Sequence, residues 1–305
     1  MTAPVQRSGI LLVDKPAGMS SADVLNKIKD SHNLPRIGHG GTLDPFATGL
    51  LVVLIGEGTK IARFLLEGDK LYEATALLGT ETDTGDHTGT SIAPVDVPLL
   101  SVAEWQSHAN GFLGRIRQTP PPYSAVKVKG IALYEYARKG QQVEVKARDV
   151  QVKEFTILSA SRQEVMMRIA CSGGTYIRVL AADLAAAAGT AAHLGALRRL
   201  GSSSFRVADS VTLEQCLKIP RGELPVASLA LGLSHLPQVK CEPYQAEKAR
   251  QGNLAVFDSL RSQIEKPGYF VLTLEGLPVA ICNHHPMLIP FCTVERVFDP
   301  KLIAP

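Results

Sequence analysis

Hydrophobic positions fall in short bounded runs along this chain. GILLVD, from Gly9, is an apolar run of strand length, and Lys15-Pro16-Ala17-Gly18 turns it. Ser20 or Ser21 can cap a helix through Val24, Leu25 and Ile28. A glycine-rich loop follows and feeds into Leu50–Ile55, a continuous apolar run that reads as a strand covered on both faces. Gly56-Glu57-Gly58 turns it, Thr59 caps a short helix, KIARFLLEG, and Lys70–Leu78 is the next strand. TETDTGDHTGTSIAP is a polar loop, and a helix is expected around Trp105. The three prolines of QTPPPYSAVKVKG exclude helix and central strand, so 118–148 reads as a rigid protruding arm. Val165–Cys171 is a strand, Ser172-Gly173-Gly174 breaks it, and Tyr176–Ala188 is an alanine-rich helix ended by Gly189.

Composition shifts near 220–240, where IPRGELP and SHLPQ carry prolines, and the remainder reads as a small separate unit. It holds a helix (EPYQAEKARQG), a hairpin turning at Glu275-Gly276 and a last strand around TVERVF. Strands and helices do not alternate as a doubly wound parallel sheet requires. The expected class is therefore mixed α/β (α+β) with a β-rich C-terminal module.

Composition narrows the class without fixing it. With 305 residues, 45% hydrophobic and 20% charged, the chain fits a soluble protein of one large or two modest domains. No window offers the roughly 18 consecutive apolar residues of a membrane-crossing helix. The apolar run at the N-terminus is too short for a signal peptide, so a cytoplasmic location is expected. Five scattered cysteines form no C-x-x-C pair, which points to buried thiols rather than a zinc site or disulfide framework. His284-His285 lacks partners at ligand spacing and reads as a loop.

Charge changes the picture more. The net is +3, but Glu81–Glu104 holds five acids and no base. Arg115–Arg148 holds eight bases against Glu135 and Glu144, a local net of +6. Interleaved with Tyr123, Tyr134 and Tyr136, this block suits either a solvated face or a polyanion partner.

One acid is out of place. In RIGHGGTLDPFATGLL a lone aspartate, Asp44, stands among glycines just ahead of a core strand. Phosphate-loop, nucleophile-elbow and zincin signatures are absent, and Gly38, Gly40 and Gly41 do not make a dinucleotide fingerprint. On chemistry alone Asp44 is a nucleophile, an acid/base group or a turn residue.

GHGGTLDPFATGLL closely resembles the catalytic motif of the bacterial tRNA pseudouridine synthase B (TruB) family. GILLVDKPAGMSSADVLNKIK and GEGTKIARFLLEGDKLYEATALLGTETDTGD resemble that family's first blocks, and QTPPPYSAVKVKGIALYEYARKG its RNA-contacting insertion. CSGGTYIRVLAADL and AHLGALRRLGSSSF resemble its second half, so the likeness covers most of 9–207. This chain writes G-G-T-L-D-P where many relatives carry T-G-A-L-D-P, a change that leaves the aspartate in place.

The resemblance implies a pseudouridine-synthase fold, with a mixed, largely antiparallel central sheet flanked by helices. It implies a catalytic domain over 1–237 with its basic insertion at 118–148, and a PUA-like module over 238–305. It also implies an isomerase that converts the T-loop uridine at position 55 of tRNA to pseudouridine. The base is flipped out, and neither cofactor nor metal is required. Asp44 would be the nucleophile, Arg178 its ion-pair partner, and Tyr72 the stacking platform with a hydroxyl placed to take a sugar proton. Tyr176 and Leu197 would wall the uracil pocket, His39 would help hold the extruded nucleotide, and Lys60 would neutralise a phosphate or support the Asp44 loop. The partner is the tRNA T-arm, with no guide RNA, membrane or obligate protein partner, and the chain is a monomer. Alternatives are a tRNA-folding chaperone, a synthase acting on another RNA or through a guide, and an aspartyl-phosphate enzyme.

Overall fold

The separated apolar runs meet in one ten-stranded sheet in the computed structural model of the chain, which describes residues 8–141 and 143–303. Residues 1–7 and 304–305, at the outer ends of the two expected domains, and Gln142, in the expected arm, lie outside the described residues. In chain order the strands begin with β1 (Gly9–Lys15), β2 (Ile37–His39), β3 (Thr48–Ile55), β4 (Lys70–Leu78) and β5 (Gly114–Gln118). A two-stranded ribbon, β6 (Lys127–Val128) and β7 (Ile131–Ala132), stands apart from the sheet in the arm. The sheet continues with β8 (Arg148–Ala160), β9 (Glu164–Cys171), β10 (Ala192–Ser202), β11 (Phe205–Arg206) and β12 (Val211–Thr212). Its order is β12-β1-β3-β10-β4-β9-β8-β5, with β2 beside β3 and β11 beside β10. All pairings are antiparallel except β1–β12 and β3–β10, so the sheet is mixed and largely antiparallel as expected.

Helices cover both faces: α1 (Ser21–His32), α2 (Ala62–Leu66), α3 (Val102–Asn110), α4 (Leu133–Arg138) and α5 (Ile177–Ala187). Strand β3 shows why its sequence is continuously apolar. Leu51, Val53 and Ile55 pack with Val24, Leu25 and Ile28 of α1. Leu50, Val52 and Leu54 point the other way, onto Phe64 and Leu65 of α2. A third cluster gathers β4, β8 and β9 against α3 and α5, with Trp105 only 1% exposed.

Three local expectations change. The glycine-rich loop contains the short strand β2. Thr59 does not cap α2: its hydroxyl donates to Gly56 C=O within a 3-10 turn, and α2 starts after Ile61 without a side-chain cap. The acidic segment after β4 is a loop as expected, pinned where Leu194 N–H donates to Gly85 C=O and His87 N–H to Leu194 C=O. His284 ends a strand of the C-terminal sheet, its ring Nδ1 2.9 Å from Lys266 C=O. All five cysteines are buried thiols.

The C-terminal residues form a four-stranded sheet of β13 (Gln238–Lys240), β14 (Gly268–Leu274), β15 (Leu277–His284) and β16 (Cys292–Val297). This unit is not separate from the large sheet. Val271, Ile281, Phe298 and Ile303 complete the same apolar cluster as Ile10, Leu50, Val52 and Leu54. Among the described residues no helix is long and apolar enough to cross a membrane.

Candidate active site

Asp44 sits in the loop between β2 and β3, and buried side chains clamp that loop on both sides of it. Ser20 caps α1 through a reciprocal pair with Asp23, which leaves Ser21 to face inward. The Ser21 hydroxyl accepts from Leu43 N–H (2.9 Å) and donates to Leu43 C=O (3.1 Å). Lys15, fully buried at the end of β1, donates to Pro16, Met19 and Pro45 C=O. Arg199 of β10, 1% exposed, donates to Gly41, Thr42 and Leu50 C=O. Gly41, at φ +146, packs against the Arg199 guanidinium, and a side chain there would be strained. Asp44 is thus carried on a backbone fixed from three elements.

Arg178, in the first turn of α5, reaches the carboxylate with two nitrogens. Nε lies 3.0 Å from Oδ2 and Nη2 3.3 Å from Oδ1, a two-pronged geometry that fixes the carboxylate plane. The guanidinium is 4% exposed, so its remaining hydrogens need partners. Nη1 donates to Thr84 C=O and Nη2 to Tyr123 C=O, and Asp86 Oδ2 stands 3.7 Å from Nη1. Arg178 is therefore shared between two carboxylates. Burial pushes the Asp44 carboxyl above the ordinary aspartate range, Arg178 opposes that shift, and Asp86 adds to it. Burial also pushes Lys15 and Lys70 down to about 8 and the Tyr72 phenol up.

Asp44 opens onto a cavity of about 480 Å³, and a third of its side chain (33%) faces that space. Tyr72, Tyr176, Arg178 and Leu197 line the same cavity, so five of the seven expected residues converge. Lys127 and Arg148 bring the basic arm to its mouth. His39 is outside the lining: its Nδ1 accepts from Gly41 N–H at 3.3 Å, behind the loop. Lys60 is also outside, bonded to Glu57 and to Val297 C=O at 2.7 Å, where it ties the C-terminal sheet to the turn after β3. Sequence reasoning missed Arg199, Lys15, Lys70, Asp86 and Ser124. An arginine doublet in a strand, Arg198-Arg199, was a usable signal, since neighbouring strand residues face opposite ways and one had to turn inward.

Comparison with known proteins gives this arrangement a family. Residues 29–177 match the N-terminal domain of TruB family pseudouridylate synthases. A protein of Psychrobacter cryohalolentis named tRNA pseudouridine synthase B is 39% identical over 272 residues, covering 86% of this chain and 75% of its own. The chain belongs to the TruB family. A second TruB relative, tRNA pseudouridine synthase B of Dechloromonas aromatica, is 45% identical over 255 residues, 81% of this chain and 83% of its own. The TruB fold extends to more distant structures. A chain of a Cbf5-Nop10-Gar1 complex superposes with a TM-score of 0.73 at 24% identity, covering 97% of this chain and 87% of that one. The enzyme is thus an isomerase of the pseudouridine synthase class, built on the TruB architecture.

Proposed function

We propose that this enzyme converts the T-loop uridine at position 55 of tRNA to pseudouridine, with Asp44 as nucleophile. The observation that carries the reading is a single carboxylate, gripped at both oxygens by a buried arginine, at the wall of a nucleotide-sized cavity. In the reaction the C1′–N1 glycosidic bond breaks, the uracil turns within the pocket, and C5 bonds to C1′. One proton leaves C5 and one is gained at N1, so the products balance without oxidant, reductant or added group. The protein has to supply a positioned nucleophile and a pocket that keeps the freed base in place and water out. Tyr72 enters with its phenol protonated, because burial raises it. Taking a sugar proton would require it to lose its own first. Stacking on the base requires no such step, and is the role we assign to it. Tyr176 and Leu197 supply apolar walls, and His39 acts by shaping the loop behind Asp44.

A stacked uridine must be flipped before any of this, at a cost of a few kcal/mol. All six bases within 118–148 are exposed, which supports assigning that segment as an arm that grips RNA phosphates and offsets that cost. We assign the catalytic part to 1–237 and an RNA-facing module to 238–305, acting as a monomer. The same exposed bases would also serve a tRNA-folding chaperone, and an Asp44→Asn protein that binds tRNA without modifying it separates the two roles.

The test is direct. Purified protein is incubated with an unmodified tRNA transcript, without metal or nucleotide, and pseudouridine is mapped by carbodiimide-stop sequencing. A T-loop product that disappears with Asp44→Ala is expected. Product at another site, or full turnover by the alanine variant, refutes the assignment.

A further inference from the structure

Among the described residues lining the catalytic cavity, Ser124 alone has a buried side-chain oxygen with no hydrogen-bond partner. The residue is 6% exposed and lies on the cavity wall. Buried polar atoms in folded proteins are nearly always paired, and exceptions at a site call for a ligand or a water. The backbone that carries the hydroxyl is also held in place. Ser124 C=O accepts from Tyr134 N–H at 3.2 Å, and Val126 C=O accepts from Leu133 N–H at 2.8 Å, which fixes the backbone to the start of α4. On the other side, Tyr123 C=O accepts at 2.7 Å from Arg178 Nη2, the same nitrogen that donates to Asp44. Ser124 therefore stands on the arm, one residue from a carbonyl held by the catalytic arginine, and lines the cavity with a buried, unpartnered hydroxyl.

We propose that Ser124 Oγ is a substrate contact: it hydrogen-bonds the extruded nucleotide in the cavity. The inference rests on reading the cavity as the nucleotide pocket. A hydroxyl donates one hydrogen bond and accepts up to two. It can therefore pair with a uracil carbonyl, the uracil imide N–H or the ribose 2′-hydroxyl. The contact makes one arm residue part of the pocket, so a nucleotide that is properly extruded is held by the sheet and the arm together. It would add selectivity at the flipped nucleotide that phosphate contacts alone do not supply.

The experiment uses Ser124→Ala in the full chain. Wild-type turnover on a T-arm hairpin is measured first. If no pseudouridine forms, the nucleotide-pocket reading itself fails and Ser124 is not at issue. If product forms, affinities are compared for Asp44→Asn with and without Ser124→Ala, the asparagine being present to prevent turnover. Three hairpins are used: unmodified, 2′-deoxy at the target, and abasic at the target. The serine change should weaken the unmodified hairpin about threefold to tenfold, the worth of one neutral hydrogen bond. That loss should vanish with the 2′-deoxy hairpin if the sugar is the partner, or with the abasic one if the base is. No loss, or an equal loss with all three, overturns the proposal. The melting temperature of the free protein should not fall, because the deleted hydroxyl has no partner to lose. Should Ser124→Ala fold poorly, Ser124→Cys keeps the volume with a much weaker donor and is put through the same comparison.

Discussion

Burial lifts the Asp44 carboxyl above the ordinary aspartate range although Arg178 grips both its oxygens. The folded chain therefore holds that proton to higher pH than the unfolded chain does. The resulting penalty on stability is fully developed once the pH exceeds the folded value. Asp44→Asn removes the penalty at neutral pH, while Arg178 keeps Thr84, Tyr123 and Asp86. Pseudouridine formation should drop to background with no fall in melting temperature. A melting point lowered by more than a few degrees would return Asp44 to the role of a structural turn residue. The same shifts shape the pH profile of kcat/KM. The acid limb should have its midpoint above about 4, the ordinary aspartate value. An alkaline decline should begin near pH 8, where Lys15 and Lys70 lose the charge that holds Pro45 and Leu66 C=O. A plateau unbroken to pH 10 would show that those ammonium groups do not position the loop. The aspartate, arginine and tyrosines were legible because they stand in motifs. Lys15 was not: in LVDKPAG it reads as a turn lysine, and nothing in a single sequence marks three carbonyls converging on its amine.

Elements were legible where one pattern dominated. The run before Gly56 reads as a doubly covered strand, and β3 is one, with alternate residues feeding two different clusters. By contrast β8 alternates buried apolar with exposed charged residues beside a basic arm, and the arm's charge masked its strand period. Strand β10 was hidden by Gly195 and Gly201, which interrupt its apolar run. Gly49, the second residue of β3, tests how closely these strands must approach. It sits at φ +97, and a Cβ would fall 2.3 Å from Arg199 C=O oxygen and 2.8 Å from Arg199 N. The neighbour cannot give way, because Arg199 is buried and bonded to the Asp44 loop. Gly49→Ala should therefore exceed the usual range for single substitutions and cost about 4 kcal/mol or more. Gly114→Ala is the control: φ +92 with nothing within 4 Å of the new atom. Only backbone strain applies there, about 1–2 kcal/mol. Urea midpoints of the two variants measure the difference, and equal costs would mean that the β3–β10 approach is not the constraint.

At the scale of the whole molecule the proline-rich shift near 220–240 suggested a boundary, and the second sheet does begin there, but the boundary is not a seam between independent bodies. Composition reports a change of local chain character; it is silent about which faces are shared. Val52 and Leu54 of β3 lie in one cluster with Val271, Ile281 and Phe298. Polar ties reinforce it: Lys60 Nζ donates to Val297 C=O, Asp299 N–H donates to Glu57, and Arg63 stacks 4.4 Å from the Tyr269 ring centroid. The C-terminal sheet should therefore be needed for folding. Ending the chain at residue 237 would uncover Ile10, Val52, Leu54 and Phe64, each worth at most about 1.5–3 kcal/mol when fully covered. Their sum, at most about 6–12 kcal/mol, is comparable with the whole stability of a typical domain. The truncated protein is expected to be insoluble, or to bind a hydrophobic dye without a cooperative unfolding transition. In the intact chain Phe298→Ala should cost about 3–5 kcal/mol through the same cluster. A truncated protein that melts cooperatively within a few degrees of the full chain would make the C-terminal sheet an appendage; loss of the Asp44 site together with that sheet would make it one wall of the catalytic core.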